Sequence, residues 1–221
     1  LPHGPFIPTP DNVKPGMDKR PGKKSDAAFY AGMIEYADTL IGKLLAELDR
    51  LGIAGNTYVL ILGDNGTPPE ITSRLANGRV IEGGKGEMAP AGARVPLVCR
   101  GPGVQGRGRV IDCLGDVSDL HPTLADMAGV RLPGYRGTTF DGRSMLWQWE
   151  GRPGDPREWV YWAIGDQWVI RGRDYQLLQG ESLYRIEDGQ FGVEKVPEGE
   201  RSPEAQAARA NLLQAAQALR P

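Results

Sequence analysis

The sequence is poor in the residues that most often carry catalysis or cross-linking. Among 221 residues there are two cysteines, Cys99 and Cys113, and two histidines, His3 and His121. One cysteine pair cannot make the disulfide framework of a small secreted scaffold. Both cysteines lie in apolar, strand-like runs and read as buried free thiols, with a single bridge between them left open. Long apolar runs are also missing. None approaches the roughly 18 residues of a spanning helix, so no membrane span is expected. Neither sign of charge dominates, with 26 Lys and Arg against 28 Asp and Glu. No basic run exceeds two residues, which argues against a nucleic-acid partner. The chain opens on Leu1 rather than Met and shows no signal-like start, so any targeting segment is expected upstream or already removed.

Familiar catalytic signatures are absent too. No Gly-x-Ser-x-Gly turn is present to expose a serine nucleophile. Gly84-Lys85 is preceded by Gly78 at six residues, one too many for a P-loop, and Gly86 stands where Ser or Thr is required. Gly101-Pro102-Gly103-Val104-Gln105-Gly106 matches the dinucleotide pattern letter by letter. Arg107-Gly108-Arg109 follows it and opens no helix, so a pyrophosphate would lack a helix N-terminus.

What the sequence does contain is the alternation of an open α/β fold. Ser25-Asp26 offers an N-cap to a helix with Phe29, Met33, Ala37, Leu40, Leu44 and Leu48 at helical spacing, stopped by Gly52. Thr57-Tyr58-Val59-Leu60-Ile61-Leu62 then reads as a strand buried on both faces, as in a parallel sheet. It halts at Gly63-Asp64-Asn65-Gly66. Residues 67 to 93 read as a glycine-rich loop, Val95 to Cys99 as an edge strand, and Asp119 as the start of a second helix ended by Gly129. Beyond Trp149 the stretches 159–162, 168–170, 175–178 and 183–186 suggest a small antiparallel meander. Its tryptophans, Trp159, Trp162 and Trp168, are expected in the core, and Ser202-Pro203 starts a last helix. The division expected is residues 1–150 as a main α/β domain and 151–221 as a four-stranded antiparallel sheet plus helix.

Four residues could carry chemistry. Asp64 and Asn65, at the end of a buried strand, offer hard oxygen donors of the kind Ca²⁺ or Mg²⁺ takes; Asp-Asn-Gly is equally ordinary turn chemistry. Calcium wants about six to eight oxygens, so this pair is at most part of a site. Lys85, in Gly83-Gly84-Lys85-Gly86, puts a compact cation among residues that let an anion approach, or decorates a surface turn. His3 is held among prolines in Pro2-His3-Gly4-Pro5 and otherwise reads as an exposed loop histidine, while His121 more readily caps or packs.

The motifs gain meaning from their order. His3-Gly4-Pro5-Phe6-Ile7-Pro8-Thr9-Pro10, the helix from Tyr36 to Leu44, Gly63-Asp64-Asn65-Gly66-Thr67, Gly83-Gly84-Lys85-Gly86, Ala91-Gly92-Ala93-Arg94-Val95-Pro96-Leu97, Asp119-Leu120-His121-Pro122-Thr123-Leu124, Asp141-Gly142-Arg143-Ser144 and Ser182-Leu183-Tyr184 together resemble the sulfatases of the arylsulfatase-like family. The resemblance covers nearly the whole chain. It implies an alkaline-phosphatase-like α/β sandwich, present in part, with a small C-terminal antiparallel α+β subdomain. It further implies hydrolysis of a sulfate ester by a formylglycine nucleophile with a calcium ion. In that pattern Asp64 and Asn65 are metal ligands, Lys85 contacts sulfate, and His3 contacts the transferring group near the leaving oxygen. The substrate would be a sulfated small molecule or glycan, and the compartment periplasmic or extracellular, with the cytoplasm left open. The Cys/Ser-x-Pro-x-Arg segment that yields formylglycine does not occur in these 221 residues. The chain is therefore expected to be a carboxy-terminal portion that is inactive alone. A phosphomonoester or phosphonate-ester hydrolase, or a non-catalytic module of the same fold, are the alternatives.

Overall fold

The computed structural model describes residues 3–11, 27–132, 140–187 and 191–219. It divides into two compact units, Leu1–Pro102 and Gly103–Pro221.

In the first unit, one 3₁₀ turn, Ala27–Phe29, leads into helix α1, Tyr30–Arg50. The expected cap, Ser25-Asp26, lies outside the described residues. The helix ends as its sequence demands, with Gly52 at φ +71, a conformation that side chains with a Cβ resist. No residue of α1 is buried, and Ile34, Leu40 and Leu44 stay exposed along its apolar stripe. Strand β1, Val59–Leu62, pairs antiparallel with β4, Leu97–Arg100. This corrects the parallel, doubly buried strand expected from the apolar run. β1 has one hydrogen-bonded neighbour among the described residues and all four of its residues are half-buried.

Between these strands lies more order than a loop. Strands β2, Thr72–Arg74, and β3, Val80–Glu82, form a hairpin. Its turn is Asn77-Gly78, where Gly78 has φ +84 and Asn77 Oδ1 accepts the Arg79 amide at 3.1 Å. Asn-Gly is the strongest short-range hairpin signal. The hairpin was nonetheless unexpected, because its strands are three residues long and mostly exposed. A short helix α2, Pro90–Ala93, precedes β4.

The second unit begins with Gly103 in a turn at φ +74, and no helix follows it before residue 117, in keeping with the rejection of the dinucleotide pattern. Asp119 stands at the N-cap of the next helix, as expected, and a 3₁₀ turn, Val117–Asp119, capped by Asp116, leads into it. Asp116 accepts the Ser118 amide at 2.9 Å while Asp119 Oδ2 accepts the Asp116 amide, a reciprocal capping box ahead of α3, Leu120–Met127. Helix α4 spans Leu146–Trp149. Five strands follow in simple meander order: β5 Val160–Ile164, β6 Gln167–Arg171, β7 Tyr175–Leu178, β8 Leu183–Ile186 and β9 Val193–Lys195. The fifth strand exceeds the four expected, being too short and charged to show period-2 alternation. Helix α5, Pro203–Leu219, packs on β6 and β7, with Ser202 Oγ accepting the Ala205 amide at 3.2 Å. The core is Ile170, Leu177, Leu183, Ala205, Leu212 and Ala216. Trp159 and Trp168 border this core rather than fill it, and Trp162 is only half-buried.

Asp119 anchors this unit. It is 1% exposed and ion-paired to the Arg157 guanidinium, whose side chain is 8% exposed. Its carboxylate also accepts the Arg143 amide at 2.7 Å, and its carbonyl takes the Thr123 hydroxyl at 2.6 Å. Thr123 in turn accepts the Met145 amide at 2.8 Å. This network joins segments on both sides of residue 150, so the division expected there falls inside the second unit.

Cysteine placement also differs from expectation. Both thiols are free; Cys99 is half-buried on β4, whereas Cys113 is exposed because residues 108–115 run as irregular chain instead of a strand.

Two outcomes follow. Burial pushes the Cys99 thiol up to about 11 from an ordinary 9.0, which leaves about a hundredfold less thiolate at mildly alkaline pH. Iodoacetamide at that pH should therefore label Cys113 and spare Cys99, as read by mass spectrometry of the digested chain. Arg157→Ala strands a buried carboxylate and should destabilise the second unit by about 3–5 kcal/mol in chemical denaturation.

Candidate functional site

All four candidate residues fall in the first unit, and backbone hydrogen bonds bring three of them together. The β1–β4 pairing is extended one step by Gly63, whose amide donates to Pro96 O at 3.0 Å. Asp64 and Asn65 come next, exposed at the strand end. Gly66 then donates to Gly92 O at 2.9 Å, and the Thr67 carbonyl accepts two amides, from Gly84 and from Lys85, each at 2.9 Å. Gly83 donates to Ile71 O at 2.9 Å. Lys85 is thus bonded through its amide to a residue only two positions from Asn65, a span of at most about 7 Å of extended chain.

The glycines are what permit this closeness. A Cβ on Gly66 would stand 2.0 Å from Ala91 O, one on Gly83 2.0 Å from Pro68 O, and one on Gly92 2.2 Å from Gly84 O. No side chain fits at such distances, so these positions are glycine by contact and not by flexibility. Gly63, Gly66 and Gly84 are buried while Asp64 and Asn65 are exposed and Lys85 is half-exposed. The result is a rigid glycine weave carrying a carboxylate, an amide and an ammonium at its surface.

The weave bears on the choice between turn and ligand. Where an asparagine serves a turn in this unit, at Asn77, its side chain accepts a backbone amide. No described residue supplies a hydrogen bond or ion pair to the side chains of Asp64, Asn65 or Lys85. Their loop is held by glycine backbone instead, so these side chains do no turn work. As a metal centre the pair is partial: it presents two adjacent hard oxygens, and among the described residues no group of three or more His, Cys, Asp or Glu could hold a metal. Asp64 and Asn65 fit a calcium ion as two of the six to eight oxygens it takes.

His3 sits apart in the chain on the 3–11 loop. That loop is pinned by Phe6, 2% exposed, whose ring meets Tyr30 edge-on at 5.3 Å. His3 itself is exposed, and its Nδ1 lies 2.7 Å from the Gly4 carbonyl. A carbonyl only accepts, so Nδ1 is the donor in this contact and Nε2 is the other ring nitrogen. His121, by contrast, belongs to the second unit and packs against Phe140, with ring centroids 5.0 Å apart.

With this geometry in view, comparison with known proteins is direct. The sulfatase family model matches residues 2–130. Steryl-sulfatase from Mus musculus is 37% identical over 123 residues, covering 53% of this chain and 19% of its own length. A sulfatase from Formosa agariphila is 31% identical over 188 residues, covering 74% of this chain and 32% of its own. Among solved structures, a 2-O GAG sulfatase superposes with a TM-score of 0.64 at 20% identity, over 85% of this chain and 42% of that one. The chain belongs to the sulfatase family, with the family's alkaline-phosphatase-like fold present in part. It spans between about a fifth and a third of the curated relatives' length.

Sequence reading found the charged residues but not what holds them. Gly66, Thr67 and Gly92 lie within motifs the sequence already displays, but that they hold the site together is visible only once the fold brings those motifs into contact. Gly66→Ala should cost at least about 1–3 kcal/mol and abolish hydrogen-exchange protection at the Gly84 and Lys85 amides. Gly55→Ala, where a Cβ meets nothing within 4 Å, should leave that protection unchanged.

Proposed function

We propose that this chain is the carboxy-terminal portion of a calcium-dependent sulfatase that hydrolyses sulfate esters, its formylglycine nucleophile being supplied from outside residues 1–221. The observation that carries the reading is the glycine weave, which sets Asp64, Asn65 and Lys85 close together with side chains uncommitted to any described protein group. A group meant only to shape a turn would bond its own backbone. Asp64 and Asn65 are exposed, Lys85 is half-exposed, and the three differ in charge, as a site for an anion beside a cation needs.

The chemistry follows from the residues. Sulfate presents oxygens on which negative charge accumulates as the ester bond breaks, and preorganised positive charge lowers that barrier. Lys85 brings a compact ammonium on a residue whose backbone amide donates a hydrogen bond to the Thr67 carbonyl. Asp64 and Asn65 would hold calcium by their oxygens; the ion supplies further positive charge at the sulfate oxygens. His3, with Nδ1–H engaged by Gly4, has Nε2 as the nitrogen that gains and returns a proton. As an imidazolium it would donate from Nε2 to the departing alcohol oxygen. The family members compared above include a steryl-sulfatase and a 2-O GAG sulfatase. A sulfated small molecule and a sulfated glycan are accordingly the two substrate classes the reading takes in. The same resemblance suggests a periplasmic or extracellular setting. Among the described residues no helix is long and apolar enough to cross a membrane.

The test uses the protein carrying both this chain and the nucleophile segment. Asp64→Ala should lower turnover of an aryl sulfate at least about a hundredfold, the scale of losing one electrostatic contact to the transition state, and added calcium should restore part of it. Unchanged turnover would remove the metal assignment. His3→Ala should slow esters of poor leaving groups more than those of good ones, and equal losses would take His3 out of proton transfer. An aryl phosphate turned over faster than the matching sulfate would move the reading to phosphomonoester hydrolysis.

A further inference from the structure

The second unit contains a cleft of about 650 Å³ that the sulfate chemistry does not use. Its size lies within the roughly 300–1,000 Å³ of small-ligand sites. The floor is one face of α5, where Ala208, Leu212 and Ala215 recur at helical spacing, together with Gly172 on the β6–β7 turn. Small residues there leave room where larger ones would close the cleft. The turn is fixed by the Gly172 amide donating to Tyr175 O at 2.9 Å.

Two aromatic rings wall this space. Trp159 and Tyr175 are half-buried, packed on the hydrophobic core along one side and lining the cleft. The Arg157 guanidinium lies 5.9 Å from the Trp159 ring centroid and restrains that ring further. Such held rings add apolar lining to the cleft and have little entropy left to lose on binding.

The rim is polar and exposed. Glu158 and Asp174 are acceptors, whereas Asn211 and Gln214 both donate and accept. The cleft's one lining cation among the described residues, Arg173, bonds Asp112 at 2.8 Å. That cation is engaged by a carboxylate at the surface, and Glu158 and Asp174 add two further carboxylates to the rim. Apolar faces beside mixed donors and acceptors, without a spare positive charge, suit a ligand that is hydroxylated, flat on one side and uncharged. A neutral pyranose has that character: its C–H face is apolar and its equatorial hydroxyls give and take hydrogen bonds.

We propose that this cleft is a neutral-saccharide subsite, with Trp159 and Tyr175 meeting the sugar ring and Asn211 and Gln214 its hydroxyls. The assignment stands on the second unit alone and does not depend on the sulfate reading. It is tested by NMR titration of the full 221-residue chain with cellobiose, lactose and N,N′-diacetylchitobiose, and with glucose against glucose 6-sulfate. A neutral disaccharide should saturably shift the Trp159 indole and the Asn211 and Gln214 side-chain amide resonances. The Asn211→Ala/Gln214→Ala double variant, altered only at exposed positions, should keep its backbone spectrum and bind about tenfold or more weakly, the scale of two lost hydrogen bonds. Ala208→Leu, which fills the floor, should also lose binding. The proposal is overturned if none of the three disaccharides shifts these resonances, or if the double variant binds as tightly as the parent. Stronger binding of glucose 6-sulfate than of glucose would equally overturn it, making the cleft an anion site.

Discussion

One carbonyl, that of Thr67, does most to make this chain more than a set of loops. It accepts the amides of both Gly84 and Lys85, and beside it Gly66 donates to Gly92. Backbone groups removed from water must be bonded, so three loops that meet here have to satisfy one another. They can do so only if their chains touch, and they touch only because Gly66, Gly83 and Gly92 carry no Cβ. From that constraint come the position of Lys85, the exposed setting of Asp64 and Asn65, and the short reach between them.

The two units answer the problem of stability differently. The carboxy-terminal sheet is closed on one face by α5 and owns a small, fully buried aliphatic centre, with Ile170, Leu177 and Leu183 wholly excluded from solvent. The segment before it relies on a buried ion pair instead. Asp119 meets the Arg157 guanidinium and the Arg143 amide, so the charge is compensated from several directions at once. Such pairs seldom stabilise more than an apolar replacement would, but they tolerate few geometries. They suit a region whose chain is irregular and whose path must be specified by something other than sheet or helix. The first unit has neither device in strength: α1 leaves Ile34, Leu40 and Leu44 exposed, and β1 has one strand neighbour among the described residues.

How much could be read beforehand follows from the range of each interaction. Helices α1, α3 and α5 were legible because their apolar residues recur every three or four positions and their stops are local: Gly52 and Gly129 in the left-handed region, Pro203 at a helix start. The four longer strands of the meander were legible by their aromatic and β-branched content. The β2–β3 hairpin was missed although Asn77-Gly78 announced it, since strands so short carry no period. Direction of pairing was misjudged for Val59–Leu62, because an apolar run reports that a strand expects cover on both faces, not which neighbour provides it. Cys113 was misjudged similarly, an apolar neighbourhood in sequence becoming exposed chain in space.

The sequence by itself determined the identity of the candidate groups: a carboxylate and an amide at 64 and 65, an ammonium at 85, an imidazole at 3, and the order in which they occur. Order alone sufficed for kinship, because motif order survives when most positions change. It could not say whether Asp64-Asn65 was turn or ligand, since the same three letters serve both. Tertiary structure supplied the loop's hydrogen bonds from elsewhere, Gly84 bonding Thr67 across 17 residues and Gly92 bonding Gly66 across 26. Contacts of that separation leave no local trace, and so Asp64 and Asn65 are released from structural work by residues that nothing in their own neighbourhood foretells.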